Sequence, residues 1–155
     1  QNVQFIHVTG RDEYETTREM LLEQGLAQTP HFHLHPYLHE MPAALQTADL
    51  VLCRAGAIAL AEVAAVGLPA VLIPYPYATG NHQEANARAF EKRGAAIVLL
   101  DRELTGEALM ALLPELVHDE EKLQKMKLAA GTLAKPAAAD DIAAHLLTDL
   151  KSVGA

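Results

Sequence analysis

The sequence predicts an α/β fold, a doubly wound parallel sheet followed by an all-helical carboxy-terminal tail. Three observations carry the prediction. Short runs rich in Val, Ile and Leu alternate with segments of helical spacing as far as Leu100. Glycine and proline stops separate them at Gly25, at Gly67 with Pro69, and at Gly94. Beyond Leu100 the strand pattern ceases and only helical periodicity remains. Such alternation implies right-handed crossovers and a parallel sheet covered on both faces.

In chain order, the spacing predicts strands over residues 3–8, 32–35, 50–53, 70–73 and 95–100. Helices are predicted over residues 12–24, 41–47, 57–66 and 81–92. In the tail, Thr105 caps a helix running towards Val117, with Pro114 as a kink. Asp119 caps the next helix, and Glu120 and Glu121 in its first turn suit the helix dipole. Lys135-Pro136 breaks the chain before a last amphipathic helix over residues 137–150. The 155 residues are expected to form a single domain, residues 1–155, large enough to bury a core.

Half the residues are apolar and 21% are charged, ordinary values for a globular chain. The formal charge of -8 excludes nucleic acid as a partner, because neutralising phosphates needs a basic surface. Cys53 is the only cysteine, so an internal disulfide framework is impossible. The most apolar stretch, residues 55–78, contains Glu62, Gly67, Pro69, Pro74 and Pro76 and reads as helix, turn and strand, not as a membrane span.

Ligands of doubly wound sheets bind outside the carboxyl ends of the strands, so two strand-to-helix junctions matter most. The first runs from Cys53 through Arg54 and Ala55 to Gly56, Ala57, Ile58 and Ala59. Gly56 allows a tight turn and close approach of a ligand, and the free amides of Ala57, Ile58 and Ala59 would face an anion. Glu62 is the only charged residue between Ala55 and Gly80. It lies one turn above that anion site on the face of Ile58, where a carboxylate accepts hydrogen bonds from both hydroxyls of a ribose. The bland alternative is a surface carboxylate, or one paired with Arg54.

The second junction runs from Pro74 to Asn86. Asn81 and Glu84 have capping-box spacing, which starts a helix there. His82, Gln83 and Asn86 then cluster near its mouth as neutral hydrogen-bonding groups suited to sugar hydroxyls, or else as a solvated polar face. His31, His33 and His35 alternate onto one face of a strand. Three such residues could hold zinc, but no fourth ligand or supporting carboxylate can be named, and polar residues facing outward give the same pattern. No metal site is predicted.

The run from Ala48 to Ala57, then Glu62, Gly67-Leu68-Pro69-Ala70 and Asn81-His82-Gln83-Glu84-Ala85-Asn86-Ala87 together resemble the donor-binding domain of the MurG family of bacterial cell-wall synthesis. The resemblance is continuous over residues 3–100 and weaker in the helical tail. It implies a Rossmann-like half of a GT-B fold and an inverting transfer of N-acetylglucosamine from UDP-N-acetylglucosamine to lipid I, without a cofactor. By matched position, Glu62 holds the ribose, the Gly56–Ala59 turn with Arg54 meets the diphosphate, and His82, Gln83 and Asn86 face the sugar. The Leu38 backbone meets uracil. Ala55 and Ala59 stand where related enzymes often carry Ser and Thr, and His82 where some carry Gln, which puts individual sugar contacts in doubt.

The resemblance also implies a missing amino-terminal acceptor domain, bearing the lipid I site and the general base. No residue of this chain is predicted to be catalytic, and the chain alone is expected to be inactive. The full enzyme would be a cytoplasmic protein associated peripherally with the inner face of the membrane. The opening run, residues 3–8, matches the second strand of the related domain, so the chain is expected to be a fragment lacking a first strand that belongs between residues 3–8 and 50–53. A non-catalytic nucleotide-sugar-binding module and an epimerase of UDP-N-acetylglucosamine are the alternatives. Against the epimerase, the Gly-Gly and Glu-Arg-Pro-Glu segments associated with such enzymes are absent.

Overall fold

The structure, a computed structural model, describes residues 3–27 and 29–153. They divide into two compact units, the first ending at Met41 and the second beginning at Pro42.

The first unit contains β1 (Phe5–Val8), α1 (Tyr14–Glu23) and β2 (Phe32–His35). β1 and β2 pair in parallel, Phe5 opposite Phe32 and Val8 opposite His35. The Phe5 and Phe32 rings stack with centroids 6.2 Å apart, a cross-strand aromatic pair that supports this register. α1 ends at the predicted Gly25, which is left-handed with φ +70°.

The second unit holds β3 (Val51–Cys53), β4 (Ala70–Leu72) and β5 (Ala96–Val98), parallel in the order β3-β4-β5. Its helices are α2 (Met41–Thr47, which begins at the boundary), α3 (Ala57–Val66), α4 (His82–Lys92), α5 (Gly106–His118), α6 (Glu120–Gly131) and α7 (Ala138–Val153). The alternation along β4 sets the two faces. Ala70 and Leu72 pack with Leu60 and Val63 of α3 and Ala87 of α4. Val71, between them, packs with Leu116 of α5 and Met126 of α6. A strand buried on both faces can be uniformly apolar, as β4 is. Gly67 closes α3 with φ +65°, its own N–H and that of Leu68 bonding back to Ala64 and Val63. A Cβ there would also stand 3.4 Å from the Lys127 carbonyl of α6.

The sequence prediction departs from the structure at definite points. The strands pair in two parallel ladders, β1-β2 in the first unit and β3-β4-β5 in the second. Apolar runs identify strands, whereas their neighbours depend on contacts distant in sequence. The ladders are shorter than predicted, although backbone bonds such as Ile73 N–H to Cys53 O (2.9 Å) and Leu99 N–H to Leu72 O (3.0 Å) continue them by a residue. Thr105 and Asp119 cap α5 and α6 as predicted, accepting from the N–H groups of Ala108 (3.1 Å) and Lys122 (2.9 Å). α5 continues through Pro114.

Candidate functional site

The β3–α3 junction is built as an open helix N-terminus. Gly56 is the N-cap residue, and no side chain caps the helix. The first intrahelical bond runs from Leu60 N–H to Gly56 O, 3.0 Å. The N–H groups of Ala57, Ile58 and Ala59 therefore have no acceptor among the described residues, and with the helix dipole they form a seat for an anion. The tight turn expected at Gly56 is absent. Its φ of -68° and ψ of 144° suit any residue, and a Cβ added there meets no atom within 4 Å.

Glu62 is exposed one turn further along α3. It shares its face with Ile58, an aliphatic side chain left 79% exposed, while Leu60, Val63 and Ala64 turn into the core. Glu62 has no ion pair and no hydrogen-bond partner among the described residues. The pairing with Arg54 considered from sequence is not formed, because Arg54 is engaged elsewhere. Its Nη1 donates to Asp101 Oδ1 at 2.5 Å and to the carbonyls of Pro74 (3.3 Å) and Ile73 (3.4 Å). The guanidinium carbon lies 5.6 Å from the Tyr75 ring centroid. Arg54 thus ties together the carboxyl ends of β3, β4 and β5.

The β4–α4 loop is tied to the same region. After a 3-10 turn over Thr79–Asn81, α4 starts at His82, as predicted, but the capping box does not form. Asn81 is left-handed with φ 54°, and its Nδ2 donates to Glu84 Oε2 at 2.9 Å instead of its side chain accepting from the helix backbone. In that backbone conformation the side chain finds the nearer carboxylate. His82 Nδ1 lies 2.5 Å from Thr79 O. A carbonyl only accepts, so Nδ1 donates to it, which leaves Nε2 as the ring nitrogen open to another partner. Gln83 Oε1 accepts from Tyr75 N–H (3.0 Å), leaving its NH₂ free to donate. Asn86 Nδ2 donates to Ala55 O (3.2 Å), leaving Oδ1 and its second N–H. That last bond joins α4 directly to the turn before α3.

Arg54, Gly56, Ala57, Ile58, Ala59, Glu62, His82, Gln83 and Asn86 therefore all belong to the second unit, around two adjacent junctions. Leu38 lies in the first unit, half-buried in the loop after β2. His33 and His35 lie on β2, with His31 immediately before it. Among the described residues no group of three His, Cys, Asp or Glu side chains is placed to hold a metal ion. Burial pushes the Cys53 thiol, at the end of β3, up to about 11. A concavity of about 230 Å³ in the first unit, under α1 and lined by Tyr14, Leu21 and Phe32, contains none of the candidate residues. Sequence reasoning missed Asp101. It follows β5, so the strand-end rule that singled out the other junctions would have found it.

Parallel strands wound with helices on both faces, and a polar cluster at their carboxyl ends, define a Rossmann-like ligand-binding domain. The family model described as "Glycosyltransferase family 28 C-terminal domain" matches residues 1–143, and the chain belongs to that family. It is 49% identical over 142 residues to the UDP-N-acetylglucosamine--N-acetylmuramyl-(pentapeptide) pyrophosphoryl-undecaprenol N-acetylglucosamine transferase of Desulforudis audaxviator, covering 90% of this chain and 38% of that protein. The transferase of the same name from Moorella thermoacetica is 46% identical over 154 residues, covering 98% of this chain and 42% of its own length. A crystal structure of MurG from Acinetobacter baumannii superposes with a TM-score of 0.75 at 32% identity, covering 88% of this chain and 39% of that one. The chain thus spans about two fifths of the length of these curated relatives, and the expected Rossmann-like half of a GT-B fold is borne out.

Proposed function

We propose that this chain is the donor half of an inverting GT-B glycosyltransferase. The whole enzyme moves N-acetylglucosamine from UDP-N-acetylglucosamine to lipid I, the undecaprenyl-diphosphate-muramoyl-pentapeptide, in peptidoglycan synthesis. One observation carries this reading. An uncapped helix N-terminus, with a carboxylate one turn on that has no partner among the described residues, sits in a chain 46–49% identical to relatives named for that reaction.

The free groups match the parts of the donor. The amides of Ala57, Ile58 and Ala59, with Arg54, take the diphosphate, and Glu62 takes the two ribose hydroxyls. His82 Nε2, the Gln83 NH₂, and Asn86 Oδ1 with its second N–H are left over by the protein contacts, a mixture of donors and acceptors that suits sugar hydroxyls and an acetamido group. Inverting transfer also needs a base for the acceptor hydroxyl. His82 is the one plausible base beside this site, and in this reading it faces the sugar as a binding group, so the base belongs to the acceptor half and the chain alone transfers no sugar. Because the acceptor is a lipid, the whole enzyme works at the inner face of the cell membrane as a peripheral protein. No helix among the described residues is long and apolar enough to cross one.

The test is a titration of the chain with UDP-N-acetylglucosamine, UDP-glucose, UMP and ADP. The reading expects UDP-N-acetylglucosamine to bind tightest, UDP-glucose and UMP more weakly, and ADP not at all. Equal binding of ADP, or no preference between the two UDP-sugars, would sink it.

A further inference from the structure

We propose that Asp101 is a positioning residue for Arg54, holding the guanidinium so that its Nε–Nη2 edge serves the phosphates of a nucleoside diphosphate. The inference rests on the reading of the β3–α3 junction as the diphosphate seat, and it adds to that site a residue 47 positions away from Arg54 in sequence.

The guanidinium offers five N–H donors, two of them on Nη1. Nη1 is shared among Asp101 Oδ1, Ile73 O and Pro74 O and has nothing left to give. Nε and Nη2 keep three N–H groups with no acceptor among the described residues. The contact with the Tyr75 ring restrains the guanidinium. One edge is committed to the protein, and the other has the parallel-donor geometry that binds a phosphate in bidentate fashion.

Stability is a poor explanation for the pair. The side chains of Arg54 and Asp101 are 48% and 35% exposed, and ion pairs so placed contribute little to folding. What the pair achieves is orientation, adding a short charged contact to the two long carbonyl bonds and the Tyr75 ring that also touch the guanidinium. Asp101 also has an opposing effect, since its negative charge offsets the attraction of Arg54 for anions. If orientation dominates, removing the charge weakens diphosphate binding; if simple Coulomb attraction dominates, it strengthens it. The sign of the change decides.

The experiment measures UDP by calorimetry and uridine by chemical-shift titration, for the chain and for Asp101→Asn, Asp101→Glu and Arg54→Ala, each checked for native circular dichroism. The expected result is a loss of about tenfold in UDP affinity in Asp101→Asn, with uridine unchanged and part of the loss recovered in Asp101→Glu. Combined with Arg54→Ala, Asp101→Asn should cost nothing further, because the residue it positions is gone. Unchanged or tighter UDP binding in Asp101→Asn, with Arg54→Ala still impaired, overturns the positioning role and leaves the diphosphate reading standing. Equal losses for UDP and uridine overturn it too, since they report a general disturbance of the fold. Full UDP affinity in Arg54→Ala removes Arg54 from the diphosphate seat and the inference with it.

Discussion

Replacing Glu62 by alanine tests the site at its most exposed assumption. A carboxylate that accepts from both ribose hydroxyls makes two charge-assisted hydrogen bonds, each contributing about 1.5–3 kcal/mol. Glu62 is solvent-exposed on α3, which argues for the lower end, about 3 kcal/mol for the two. A countervailing effect must be subtracted, because the same carboxylate repels the diphosphate. Four residues at about 1.5 Å rise separate Glu62 from Ile58, about 6 Å along the helix axis. With roughly 8 Å between a single charge and a doubly charged diphosphate, the repulsion in water is about 1 kcal/mol, and salt screens it further. The hydrogen bonds win by about 2 kcal/mol, so Glu62→Ala should weaken UDP about thirtyfold.

The fold should not register the change. Glu62 has no partner among the described residues to lose, and alanine is the better helix former by a few tenths of a kcal/mol. Calorimetric titration with UDP and 2′-deoxy-UDP, beside a thermal melt, separates these effects. The unsubstituted chain should prefer UDP, and the preference should collapse in Glu62→Ala while Tm stays level or rises slightly. A folded variant that binds UDP as before, or still discriminates between the two nucleotides, refutes the ribose assignment.

Two further outcomes can be read from the same region. Gly56→Ala meets no atom within 4 Å and an ordinary φ, so its melt should move by no more than about 1 kcal/mol. Its UDP affinity should nonetheless fall at least about fivefold, a methyl at the diphosphate seat removing about 1 kcal/mol or more of binding; unaltered binding would show that no ligand approaches there. Burial raises the Cys53 thiol from 9.0 to about 11. The unfolded chain therefore loses this proton first as pH rises. Its contribution is fully present below about pH 9 and lost between about pH 9 and 11, at most about 2–3 kcal/mol. Urea midpoints at pH 8 and 10.5 should show that loss in the native chain and not in Cys53→Ala.

Local signals in this sequence agree with the structure, because they depend on a few neighbouring residues. Thr105 and Asp119 cap their helices, Gly67 ends α3 in the left-handed region, and α4 begins at His82. The failures are of two kinds. At Asn81 the spacing to Glu84 was right, but the left-handed backbone sent the amide to the carboxylate, a choice spacing cannot reveal. In the sheets, apolar runs locate five strands but do not record which of them pair, β1 with β2, and β4 with β3 and β5.

The candidate site shows the same division between local and distant information, and there it bears on function. From sequence, Arg54 and Glu62 were possible partners, which would have made Glu62 a structural carboxylate. The order β3-β4-β5 changes that choice. With Cys53 opposite Leu72 and Leu72 opposite Val98, the residues just beyond the three strand ends come together, and Arg54 reaches Pro74 and Asp101. Once Asp101 has taken the guanidinium, Glu62 is left on the open face of α3 with no cation to pair with among the described residues. Asn86 likewise commits one amide N–H to Ala55 and keeps its oxygen and its second N–H for another partner. At each position the contacts made within the protein determine which atoms remain for a ligand, and those contacts are set by strand order, which sequence spacing does not record.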